Sequence, residues 1–81
     1  MKLPRDLAAA DLETAQCKAF GYQFTRQHGS HRRLSTQVGG QHHLTIPAHD
    51  VLKPGTLRAI IGEVATHHRV DTVEVLRRLG L

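Results

Sequence analysis

The sequence predicts an α+β fold ordered α-β-β-β-α. Its three-stranded antiparallel sheet has helices on one face, and an extra helix follows at the C-terminus. Three observations predict it. Apolar residues recur at helical spacing near both ends of the chain. Between them, three short runs alternate apolar and polar residues, as strands do. The links between those runs, Gly29-Ser30 and Gly39-Gly40, are the short connections of hairpins. At 81 residues, the chain has the length of one domain, residues 1–81, with one small core.

Residues 1–7, with Lys2, Pro4 and Arg5, read as a lead-in. AAADLETAQCKAFG has helix composition and sets Leu12, Ala15 and Ala19 on one face. The first helix is therefore placed from about Ala8 to Phe20, with Gly21 ending it. YQFTRQ alternates Tyr22 and Phe24 with Gln23 and Thr25. HRRLSTQV puts Leu34, Thr36 and Val38 on one parity and His31, Arg33, Ser35 and Gln37 on the other. QHHLTIP sets Leu44 and Ile46 opposite His43 and Thr45.

A Pro-Gly loop leads into TLRAIIGEVATHH, where Leu57, Ile60, Ile61 and Val64 form a helical stripe. Thr56 is a candidate N-cap, with Pro54 and Gly55 as the alternative start. Gly62 lowers helix propensity and is read as allowing close packing on the sheet. Finally, VDTVEVLRRLGL predicts a helix over about 70–79. Asp71 and Glu74 fit a capping box, Val70 and Val75 a hydrophobic staple, and Val73, Leu76 and Leu79 an apolar face.

The expected core joins Leu12, Ala15, Leu57, Ile60, Ile61 and Val64 to Tyr22, Phe24, Leu34, Leu44 and Ile46. The other sheet face is expected to stay open, carrying Gln23, Thr25, Arg33, Ser35, Gln37, His43 and Thr45.

Composition bounds the function. Lysine and arginine total 11 against 7 acids, giving a net charge of +4 that favours polyanions. The single cysteine, Cys17, excludes an intrachain disulfide, fits a reducing cytoplasm and reads as a small helix residue. The N-terminus lacks the apolar run of a signal peptide, and no segment has the length to span a bilayer. The expectation is a cytoplasmic protein with no membrane partner.

The stretch RQHGSHRRL concentrates two histidines and three arginines around a Gly-Ser turn. Four readings are open: a metal site, a phosphate-binding edge, a catalytic histidine, or a polar hairpin. Metal is disfavoured, because adjacent histidines on a strand point to opposite faces, which separates His42 from His43. No Cys-x-x-Cys or His-Glu-x-x-His motif is present, so neither metal nor cofactor is expected. For phosphate, Arg26, Arg32, Arg33, Lys53 and Arg58 sit around loops that a meander can bring to one edge. A solvated face that keeps the domain soluble explains the same charges. For catalysis, RNA cleavage needs a base for the 2′-OH, an acid for the leaving oxygen and cations near the phosphate. His31, after the Gly29-Ser30 turn and flanked by arginines, has the right chemistry.

Three pieces in order, RQHGSHRRL, HHLTIPAH and LKPGTLRAII, resemble the HicA toxin family of toxin–antitoxin systems. The resemblance runs from the first helix to about Val64. It implies a fold like the double-stranded RNA-binding domain and a ribosome-independent mRNA endoribonuclease, an mRNA interferase. It also implies a HicB-like antitoxin that blocks the site, and assembly as a homodimer or a toxin–antitoxin hetero-oligomer. The histidine of the Gly-Ser-His motif is the catalytic one, which falls here on His31. Arg26, Arg32, Arg33 and Lys53 would hold phosphates, while Gly29 and Ser30 shape the turn. His49, after the Ile46-Pro47 pair, ranks second as a functional residue. The second proton-transfer group is left to water, His49 or His28.

The chain departs from the family pattern in its tail, HHRVDTVEVLRRLGL. Completing the core, binding the antitoxin and dimer contacts are its three candidate roles. Two rival functions remain: a non-catalytic RNA-binding module, since fold does not fix function, and an interaction protein whose basic face serves only an acidic partner.

Overall fold

The computed structural model describes residues 2–48 and 50–81, so the structural statements below leave out Met1 and His49. The elements run α1 (Ala9–Phe20), β1 (Gln23–His28), β2 (His31–Thr36), β3 (His42–Pro47), α2 (Pro54–His68) and α3 (Thr72–Leu79). The antiparallel sheet has the order β1-β2-β3. This is the expected α+β architecture of a double-stranded RNA-binding-like fold with an added helix.

α1 ends at Gly21, whose φ of +71° gives the left-handed C-terminal turn. A Cβ there would also come within 3.0 Å of Val38 Cγ2. Glycine is thus required by both backbone conformation and space. The buried Thr36 hydroxyl donates to Phe20 O at 2.9 Å and accepts from Val38 N at 3.2 Å. That pair of bonds ties the end of α1 to the end of β2. The strand stops there, and Val38 is exposed rather than core-facing.

α2 starts at Pro54, not at a Thr56 cap. Lys53 holds the N-cap position in extended conformation, and proline needs no N–H in the first turn. α3 is capped as expected on one side: Asp71 Oδ1 accepts from Glu74 N at 2.7 Å. The return half of the box is missing, because Glu74 instead binds Arg77 and Arg78 at 2.6–2.7 Å. Those guanidiniums hold its carboxyl down to about 2.

One core joins Leu34, Leu44 and Ile46 of the sheet to Leu12, Leu57, Ile61 and Val64 of the helices. Val75, Leu76 and Leu79 of α3 belong to it, and α3 packs on both α1 and α2. The tail therefore completes the core. Of the expected apolar face of α3, Leu76 and Leu79 are buried but Val73 is 64% exposed, and Val75 completes the face instead. Gly62 has nothing within 4 Å of where a Cβ would stand, so close packing does not explain it. Gln16 is fully buried with neither amide atom hydrogen-bonded among the described residues.

β1 and β2 pair with a register shift. Phe24 faces Leu34, whereas Arg26 faces Arg33 and His28 faces His31. Thr25 is the extra residue, and its hydroxyl donates to Arg33 O at 3.0 Å. Opposed residues share a face, so this bulge turns Arg26 and His28 to the sheet face opposite Phe24.

Candidate RNA-facing surface

The hairpin turn is Gly29-Ser30, with Gly29 at φ +59°. Glycine at the first central position with positive φ suits a two-residue β-hairpin. Gln27 Nε2 donates to Gly29 O at 2.9 Å, and Ala48 N donates to Ser30 O. The second bond anchors the turn to the segment after β3. The turn is therefore fixed at both ends while its flanking side chains stay exposed.

The open sheet face forms a shallow groove lined by Arg26, His28, His31, Arg33, His43 and Thr45. No carboxylate lines it. Arg26 and Arg33 are directly opposed across the strands, as are His28 and His31. Like charges directly opposed in a sheet are destabilising. Among the described residues, neither Arg26 nor Arg33 joins an ion pair. Their guanidiniums are free to share an anion. His43 and Thr45 also border a second groove, closed by Pro47 and by Gly55, Thr56 and Glu63 of α2. One continuous surface thus leads from the hairpin across the sheet to the start of α2.

Of the sequence-predicted site residues, the structure brings together Arg26, His31 and Arg33, with Gly29 and Ser30 forming the turn beside them. Arg32 is not with them. It faces the helix side, donates to both Glu13 carboxylate oxygens at 2.6 and 3.0 Å, and covers the Phe24 ring at 4.1 Å. Its cation is already neutralised, and it shields a half-exposed Phe24 that strict alternation placed in the core. Lys53 and Arg58 line a separate groove with Leu3, Pro4 and Arg5 that shares no residue with the hairpin groove. The expected single edge of five cations is therefore divided among three places. His49 lies outside the described residues.

Sequence alternation failed on Arg26 and His28, because counting from Tyr22 and Phe24 puts both on the core face. A signal was present. The two-residue turn sets His28 opposite His31, while apolar matching sets Phe24 opposite Leu34. The two registers differ by one residue, so a bulge must lie between them.

Cys17, half-buried on α1, has its thiol pushed up by burial and by the nearby Glu13 carboxylate. It is a poor nucleophile. Among the described residues, no three His, Cys, Asp or Glu side chains converge on a metal position. No helix there is long and apolar enough to cross a membrane.

Fold and groove together define a small α+β domain that presents a cationic, carboxylate-free sheet face. Residues 11–65 match the family described as "HicA toxin of bacterial toxin-antitoxin". That span is well over half of the chain, and the protein belongs to this family of toxin–antitoxin toxins. No curated protein and no solved structure matches the chain. The match ends at Ala65, within α2, and α3 lies outside the matched residues.

Proposed function

We propose that this toxin is an mRNA interferase, a metal-independent endoribonuclease whose catalytic residue is His31. One observation carries the reading: His31 stands in a carboxylate-free groove beside the unpaired, opposed Arg26 and Arg33. A phosphodiester between the two guanidiniums relieves their repulsion and is gripped by fork-shaped donors. His31 then moves a proton at the 2′-oxygen or at the leaving 5′-oxygen, for which imidazole is suited near neutral pH. The anchored Gly29-Ser30 turn holds His31 at the groove's end without occupying its ring. Arg32 and Lys53 serve elsewhere, Arg32 by fixing α1 to the sheet through Glu13.

The same face accounts for neutralisation. A HicB-like antitoxin that lays acidic groups over Arg26 and Arg33 both satisfies those charges and denies RNA the groove. The substrate places the toxin's action in the cytoplasm.

The test is cleavage of a structureless RNA by purified protein, with and without EDTA, beside His31→Ala. Circular dichroism first establishes that the variant folds. EDTA-resistant cleavage that falls by about 10²–10⁴-fold in the folded variant is the expected result. Equal cleavage by both proteins would sink the assignment of His31. RNA bound but cut by neither would mark a non-catalytic RNA-binding module.

A further inference from the structure

We infer that His28 is the second proton-transfer group, so that cleavage uses a pair of histidines facing each other across the β1–β2 turn. This rests on the reading of His31 above and adds the partner that reading lacks.

The pair is built by the hairpin. His28 and His31 flank the two-residue turn and are directly opposed on the groove face. Such pairs hold their Cβ atoms about 4.5–5.5 Å apart. Two imidazoles rooted that closely can straddle one phosphorus. His43 cannot serve instead. His31 is opposed to Pro47, and His43 lies four residues further along β3. At about 3.3–3.4 Å per residue that is about 13 Å away, beyond the oxygens of one phosphodiester.

Hydrogen bonding separates the same residues. His42 and His68 bind the Tyr22 hydroxyl, His43 binds Ser35 Oγ at 2.6 Å, and His67 binds the carbonyls of Val38 and Gly40. Among the described residues, His28 and His31 alone of the histidines have no side-chain hydrogen bond. Their ring nitrogens are free to exchange protons with a substrate. The bulge at Thr25 is what brings His28 to this face. A regular ladder from Phe24 would have turned it to the helix side.

In the step itself, one neutral imidazole takes the proton from the 2′-OH as that oxygen forms a bond to phosphorus. The opposite imidazolium gives its proton to the 5′-oxygen as the P–O5′ bond breaks. The products are a 2′,3′-cyclic phosphate and a 5′-hydroxyl, and the two histidines finish with their protonation states exchanged. Arg26 and Arg33 hold the non-bridging oxygens throughout.

The experiment compares wild type, His28→Ala, His28→Gln and His31→Ala, each verified as folded and as binding RNA. Two substrates are used: an ordinary RNA oligonucleotide, and the same oligonucleotide with a 5′-bridging sulfur at the cleaved bond. A thiolate leaves without a proton, so that substrate has no need of the general acid. On ordinary RNA, both His28 variants are expected to lose about 10²–10⁴-fold in rate. A bell-shaped pH profile is expected of the wild type, whose pair stands among Arg26, Arg33 and His43, and each His28 variant is expected to lack one limb of it. The sulfur substrate is expected to restore the variant lacking the acid, and only that one of the two positions. Undiminished cleavage by His28→Ala, or slow cleavage with neither position rescued, overturns the pair. Undiminished cleavage by His31→Ala overturns the parent reading instead.

Discussion

At one end of the sheet, His28 and His31 flank the β1–β2 turn. At the other, His42, His67 and His68 gather around Tyr22. Residue type is the same at both ends, but the surroundings are not. His67 Nε2 donates to Val38 O and Gly40 O at 3.0 and 3.1 Å, which latches the end of α2 onto the β2–β3 turn. Carbonyls only accept, so that nitrogen carries the proton. His42 stacks on His67 with ring centroids 4.4 Å apart, and the buried Tyr22 hydroxyl lies 2.8 Å from His42 Nδ1 and 3.2 Å from His68 Nε2. Burial and the Glu63 carboxylate push that hydroxyl up to about 12, so it stays protonated. These histidines are committed to structure. The hairpin pair is exposed, uncommitted and faced by arginines. Counting histidines in the sequence could not separate the two sets; hydrogen-bond partners do.

Matched substitutions at the two ends of the sheet should have opposite effects. His31→Ala should remove about 10²–10⁴-fold of cleavage while leaving the melting temperature nearly unchanged. His42→Ala should do the reverse, with near-normal cleavage per folded molecule and lower stability. A rate assay and a thermal melt on both variants check this. A large loss of rate in folded His42→Ala would make the far end part of the active site.

Next in size is Tyr22→Phe. It strands His42 Nδ1 and His68 Nε2, and should cost about 1–3 kcal/mol. In a domain this size each kcal/mol moves the midpoint by about 4–8 °C.

Acid sharpens the contrast without mutation. Burial, then the neighbouring His67, lowers the values of His42 and His68 below the ordinary 6.5. The unfolded chain therefore binds protons first as pH falls. Stability from these two groups is complete above about pH 6.5 and is lost as pH drops through their lowered folded values. Denaturant midpoints from pH 8 to 4.5 should show that decline, and Tyr22→Phe should alter it where His28→Ala does not.

The smallest effect is a control placed between the ends. Gly62→Ala has open space for its methyl and should stabilise α2 by about 0.5–1 kcal/mol without touching cleavage.

Much of the fold was legible because it depends on local periodicity. Leu57, Ile60, Ile61 and Val64 mark α2 by spacing alone, and Gly21 and Gly29 mark a helix end and a turn by their freedom at positive φ. The position of His31, at the start of β2 straight after that turn, was legible in the same way. Arg32 was not. Whether an arginine meets phosphate or Glu13 depends on which face it occupies and what α1 carries there. Nor was the exposure of Val73, because a short helix takes its orientation from the helices it packs on.

Element order, the Gly-Ser turn and the excess of positive charge each follow from neighbouring residues in the chain. Which of the described histidines are free, and which arginines stand together, depends on strand pairing and helix packing. A single bulged residue at Thr25 reverses the facing of everything between it and the turn. That shift satisfies two demands at once: Phe24 must lie beside Leu34, and the tight turn must close His28 on His31. Each demand can be read from its own stretch of chain; that they conflict by one residue shows only when the two strands are paired.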